Sequence, residues 1–183
     1  WVVNKVEKDE AISSALKTKF DFIDPSKKMI LVTGRRRENF GGGFLTICKS
    51  LKELAQRDDV QIVYPVHLNP SLQKPIDDIL GEMHNVHLIA SQDYFSFVYL
   101  MSRSHIIITD SGGVQEETPS LGRPALVIHD TSIHSEAVRA GTLKLVDTFG
   151  NVKELAGIKV LDNNQMWKTV SFIHDLSERP VRK

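Results

Sequence analysis

The chain has 183 residues, of which 41% are apolar and 25% charged, the balance of a soluble globular protein with one sizeable core. Lys plus Arg number 23 and Asp plus Glu number 23, so the formal net charge is zero and no strong general pull toward nucleic acid or an anionic membrane is expected. No apolar run reaches the roughly 18 residues a membrane-spanning helix needs.

The N-terminus, Trp1-Val2-Val3-Asn4-Lys5, has neither an initiator Met nor a signal-peptide pattern. The chain is therefore expected to begin inside a longer, cytoplasmic protein. Glu7 to Lys17 places Ile12, Ala15 and Leu16 at helical spacing and reads as a lead-in helix, followed by a connector through Pro25. Met29 to Thr33 is a short apolar run, read as a buried strand. Phe44, Ile47, Leu51, Leu54 and Ala55 then recur at helical spacing. The single cysteine, Cys48, lies in that pattern and has no partner for a disulfide or a zinc motif, so a small buried apolar residue is the expected role.

Gln61 to Val66 is a second strand, and Leu72, Ile76, Ile79, Leu80 and Met83 mark a second helix. Val86 to Ala90 is a third strand, and Tyr94 to Met101 a short helix. His105 to Thr109 is a fourth strand, followed by a helix that opens after Gly112 and Gly113 and ends near Pro119. Ala125 to Ile128 and Leu143 to Val146 are the fifth and sixth strands, separated by a short helix at Glu136 to Arg139 that stops at Gly141. The remainder reads as helix and tail.

Strand and helix alternating six times, with strands apolar on both faces, argue for an α/β fold with a parallel sheet covered on both sides. The expected order is the doubly wound 3-2-1-4-5-6 of Rossmann-like domains. There the first and fourth strands are neighbours, the winding reverses between them, and a ligand binds outside their carboxyl ends.

Two loops should meet at that point: Gly34 to Gly43, with Arg35, Arg36 and Arg37, and Asp110-Ser111-Gly112-Gly113. Glycines allow the backbone close to a bulky anion, and the first amides of a following helix favour negative charge. Ser111 adds a hydroxyl. A plain N-cap with a tight turn has the same spacing. Glu117 can accept two hydrogen bonds from a ribose diol, though Glu116 and Glu117 equally suit an exposed acidic turn. Phe97, with Tyr94 and Phe95, can wall a uracil ring or simply fill the core. The seven histidines make no convincing metal set.

Several long stretches, in order, resemble non-hydrolysing UDP-N-acetylglucosamine 2-epimerases. They are Met29 to Gly34 followed by Arg36-Arg37-Glu38-Asn39-Phe40-Gly41, Ile62 to Pro70, and Thr109 to Glu117 continued to Gly122. The similarity runs from about Trp1 to Val146 and weakens beyond. It implies one half of a two-domain, glycosyltransferase-B-like architecture. It also implies that Ser111, Gly112 and Gly113 bind the diphosphate, Glu117 the ribose and Phe97 the uracil. Arg36 and Glu38 fall where the family can bind UDP-GlcNAc as a regulator. The family interconverts UDP-GlcNAc and UDP-ManNAc by anti elimination of UDP to a 2-acetamidoglucal and re-addition, without organic cofactor or metal.

There are departures. Arg35 stands where the family has His, and it can pair with phosphate but cannot transfer protons at neutral pH. His134, in Ser132-Ile133-His134-Ser135-Glu136-Ala137, replaces an arginine expected to hold phosphate and is a weaker, pH-dependent cation. His129 also replaces an arginine, and the family's tail motif is absent. In this family the catalytic carboxylates come from an N-terminal domain that nothing here matches. The expected organisation is a linker and lead-in helix over residues 1–28 and a UDP-sugar-binding domain over 29–183, with no catalytic residue in this chain and no turnover by it alone. UDP or UDP-GlcNAc and the N-terminal domain are the expected partners. A homodimer is compatible with the full-length family protein, and the sequence leaves oligomeric state open. The donor-binding domain of a UDP-sugar glycosyltransferase and a non-catalytic nucleotide-binding remnant are the alternatives.

Overall fold

The computed structural model describes residues 2–34, 42–66, 70–128 and 143–146. Arg35, Arg36, Glu38 and His134, with the expected helix at Glu136 to Arg139, lie outside the described residues.

Two helices, α1 (Val2–Lys8) and α2 (Glu10–Lys19), stand where one lead-in helix was expected. Asp9 makes the break. Its backbone is extended (φ −81°, ψ 108°), and its carboxylate accepts the Ile12 N–H at 3.3 Å, which caps α2. After the connector the chain alternates through β1 (Lys28–Thr33), α3 (Gly42–Leu54), β2 (Val60–Val66), α4 (Pro70–Leu80) and β3 (Val86–Ala90). It continues with α5 (Tyr94–Arg103), β4 (Ile106–Thr109), α6 (Gly112–Glu117), a 3-10 turn at Pro119–Leu121, β5 (Ala125–Ile128) and β6 (Leu143–Val146). Gly122 leaves that turn at φ +63°, a conformation in which a Cβ would be strained.

The six described strands form one sheet in the order β3-β2-β1-β4-β5-β6, the doubly wound order expected from sequence. Every pairing is parallel, with Ile30 beside Ile62 on one side and Ile106 on the other. Side chains alternate across the sheet. Ile30, Val32, Ile62 and Ile108 point to one face and pack against Cys48, Leu51 and Leu54 of α3 and Ile76 and Leu80 of α4. Met29, Leu31, Val63 and Ile107 point to the other and meet Val98, Leu100 and Met101 of α5. Each fully buried Leu or Ile stabilises the fold by about 1.5–3 kcal/mol.

The lead-in segment joins that second core. Val6, Leu16 and Phe20 are buried in it, and the Phe20 and Tyr99 rings stack with centroids 5.7 Å apart. β3, at the sheet edge, is only half-buried.

Candidate functional site

A cleft of about 270 Å³ opens at the carboxyl ends of β1 and β4, where the winding of the sheet reverses. Thr33 and Gly34 line it from β1, and Asp110, Ser111 and Val114 from β4 and α6. Tyr94 and Phe97 form the wall contributed by α5, and Pro65, Ser91 and Gln92 complete the lining from β2 and the loop after β3.

Ser111 occupies the N-cap position of α6 with an extended backbone (φ −89°, ψ 126°), yet its hydroxyl makes no capping bond. The side chain is not drawn back onto its own helix. Val114, Gln115 and Thr118 are buried, so α6 is anchored from below.

The α5 wall is fixed at its start. Asp93 caps the helix by accepting the Ser96 N–H at 2.9 Å and the Ser96 hydroxyl at 2.7 Å. Those bonds, helped by Lys19, hold the Asp93 carboxyl down at about 2. Lys19 of α2 donates to Asp93 at 3.3 Å and to Ser96 Oγ at 2.8 Å, which ties the lead-in segment to the wall. With Val98, Leu100 and Met101 turned inward, Tyr94 and Phe97 are left on the cleft side. Tyr94 is 52% exposed. Its phenol is raised above the ordinary value by partial desolvation and then by the charge of Glu117, which therefore lies next to the wall.

Beneath the mouth, the Tyr64 hydroxyl reaches under the first residue after β1. A Cβ on Gly34 would stand 3.2 Å from that oxygen and 4.0 Å from Asp110 Oδ2. Burial, followed by the neighbouring Cys48 and Asp110, pushes the Tyr64 phenol up.

The cleft thus gathers Ser111 and Phe97, two of the residues singled out from sequence. Gly112 and Gly113 begin α6 directly behind Ser111 without lining the space, and Glu117 approaches through Tyr94. Ser91, Gln92 and Thr33 were not singled out. A signal for the first two existed, because the loop after β3 also leaves a carboxyl end on the same side of a parallel sheet. Among the described residues, no group of three or more His, Cys, Asp or Glu is placed to hold a metal ion. Nor is any described helix long and apolar enough to cross a membrane.

The sequence model of the UDP-N-acetylglucosamine 2-epimerase family matches residues 2–171. A UDP-N-acetylglucosamine 2-epimerase of Escherichia coli O157:H7 is 48% identical over 178 residues, covering 96% of this chain and 47% of the relative. The crystal structure of UDP-GlcNAc 2-epimerase from Neisseria meningitidis bound to UDP-GlcNAc superposes with a TM-score of 0.75 at 40% identity, covering 95% of this chain and 52% of that one. The glycosyltransferase WaaG shares the fold, with a TM-score of 0.58 at 14% identity, covering 87% of this chain and 41% of that one. The chain spans about half the length of the curated relatives it matches. With a doubly wound sheet, a cleft at its point of reversal and this extent of identity, the chain belongs to the UDP-N-acetylglucosamine 2-epimerase family.

Proposed function

We propose that the chain is the UDP-binding, C-terminal part of an epimerase that interconverts UDP-GlcNAc and UDP-ManNAc, and that the cleft between β1 and β4 holds the nucleotide. The observation that carries this reading is the pairing of Phe97 and Ser111 on two walls of one cleft at the sheet's point of reversal. The Neisseria relative was solved with UDP-GlcNAc. A flat base suits the aromatic wall, and an anion suits the hydroxyl and the α6 amides.

In this reading the uracil rests toward Phe97, Glu117 takes the ribose diol, and Ser111, Gly112 and Gly113 hold the diphosphate. Arg35 and His134 add cationic contacts, and Arg36 and Glu38 serve a regulatory UDP-GlcNAc. The reaction breaks the bond from the sugar's C1 to the UDP oxygen while a proton leaves C2. Re-addition on the other stereochemical course inverts C2. Charge grows on the departing diphosphate, so donors already aimed at it lower the barrier. This chain supplies the grip on the leaving group, and the carboxylates for proton transfer belong to the N-terminal part of the full-length enzyme.

Titration of the 183-residue chain with UDP, followed by calorimetry, tests the binding half of this proposal. Saturable one-to-one binding that Phe97→Ala weakens is expected. Absence of UDP binding at millimolar concentration rejects it. Incubating the full-length protein with UDP-GlcNAc tests the chemistry, with UDP-ManNAc as the expected product.

A further inference from the structure

The carboxyl ends of β1 and β4 are joined by a hydroxyl link outside the residues assigned so far. Thr33 and Thr109 are register partners on the two strands. Thr33 Oγ1 donates to Thr109 Oγ1 at 2.6 Å, and the same Thr109 oxygen accepts the Ser111 N–H at 3.0 Å. On its other side, the Ser111 carbonyl accepts the Gln115 N–H at 3.2 Å. Ser111 is thereby held by its amide and by its carbonyl, while its hydroxyl makes no capping bond.

Thr109 is fully buried and ends a strand whose other residues are Ile106, Ile107 and Ile108. Valine would fill the same space with the same β-branched shape, and burying a hydroxyl is unfavourable unless it is hydrogen-bonded. Packing alone does not call for the oxygen. Its visible use is to accept hydrogen bonds from the Ser111 N–H and the Thr33 hydroxyl.

We infer that Thr109 is a positioning residue for phosphate binding, with Thr33 steadying it from across the strand pair. By engaging the Ser111 amide, the Thr109 oxygen orients Ser111 toward the cleft before a ligand arrives. Binding then need not order this turn, which is the usual gain from preorganisation. This rests on the nucleotide reading given above. It predicts an effect confined to the phosphates, since Phe97 and the base side lie on a different element.

The test uses the 183-residue chain with Thr109→Val, Thr109→Ser and Thr33→Val. UDP affinity is measured by calorimetry, uridine affinity by ligand-observed NMR and folding by thermal melts. Thr109→Val should weaken UDP by about tenfold while uridine shifts by less than about twofold. Thr109→Ser keeps the oxygen and should restore UDP binding to within about threefold of the parent. Thr33→Val should weaken UDP by about threefold, and because Thr33 is only half-buried this variant serves if Thr109→Val fails to fold. Equal losses of UDP and uridine, unchanged UDP binding in both valine variants, or no rescue by serine would overturn the positioning role. A parent chain that binds uridine but not UDP overturns it too. A parent that binds neither rejects the nucleotide reading itself.

Discussion

Gln61 clasps the backbone of Asp24 with both ends of its amide. Nε2 donates to the Asp24 carbonyl at 2.6 Å, and Oε1 accepts the Asp24 N–H at 3.1 Å. Gln61 is 1% exposed on the α5 face of β2, among apolar neighbours. The contact fastens the connector between α2 and β1 to the sheet. Gln61→Leu keeps the volume and leaves two backbone groups without partners, so it should cost about 1–3 kcal/mol. Urea melts followed by circular dichroism measure it, and a loss below about 0.5 kcal/mol would contradict the clasp.

Ser111→Ala removes one hydrogen bond to the diphosphate in the proposed complex. UDP binding should weaken by about 0.5–1.5 kcal/mol, with no change in thermal stability because the hydroxyl makes no capping bond. Calorimetry reads the first quantity and a melt the second. An unchanged dissociation constant removes Ser111 from the site.

Cys48 should be inert in the folded protein. It has no exposed surface, and burial pushes its thiol up to about 11. At pH 8 roughly one molecule in a thousand then carries a thiolate, the reactive form. A thiol reagent such as dithionitrobenzoate should fail to react over hours in buffer and react fully within minutes in 6 M guanidinium, about the strength that unfolds ordinary domains. Prompt reaction without denaturant would show that α3 opens locally.

Acid should loosen the α5 wall. The Asp93 carboxyl sits at about 2 in the folded protein, below its ordinary value of 3.8. A depressed carboxylate contributes stability that is complete above the unfolded value and disappears as the pH falls through the folded one. The window is therefore about pH 4 down to pH 2. Asp93 is largely exposed, so solvent screening limits the effect to under about 1 kcal/mol. Asp93→Asn retains an N-cap and should flatten the decline of melting temperature across that window. An identical pH profile in the variant would discount the interaction.

The sheet was readable because its strands are short runs of Val, Ile and Leu set between helices of distinct period. β3, β5 and β6 have the very bounds assigned from sequence, and the strand order is the commonest of the few that right-handed parallel connections leave open. The break at Asp9 was not readable, since the helical spacing of Ile12, Ala15 and Leu16 says nothing of where the helix begins and only the extended backbone at Asp9 divides α1 from α2. In the site, Ser111 and Phe97 could be found because glycine turns and aromatic clusters stand out. The Thr33–Thr109 link could not, because threonine at a strand end looks like ordinary β-branched filling until register brings the two hydroxyls together.

The Tyr64 hydroxyl beneath Gly34 places a restriction that acts sideways through the sheet rather than along the chain. Whatever residue begins the basic loop must leave room for a phenol supplied by the adjacent strand. A methyl group at position 34 would be a tight fit, with the Tyr64 phenol having to give by a few tenths of an ångström. The start of the loop after β1 is in this sense gauged by β2, a strand that contributes little else to the cleft.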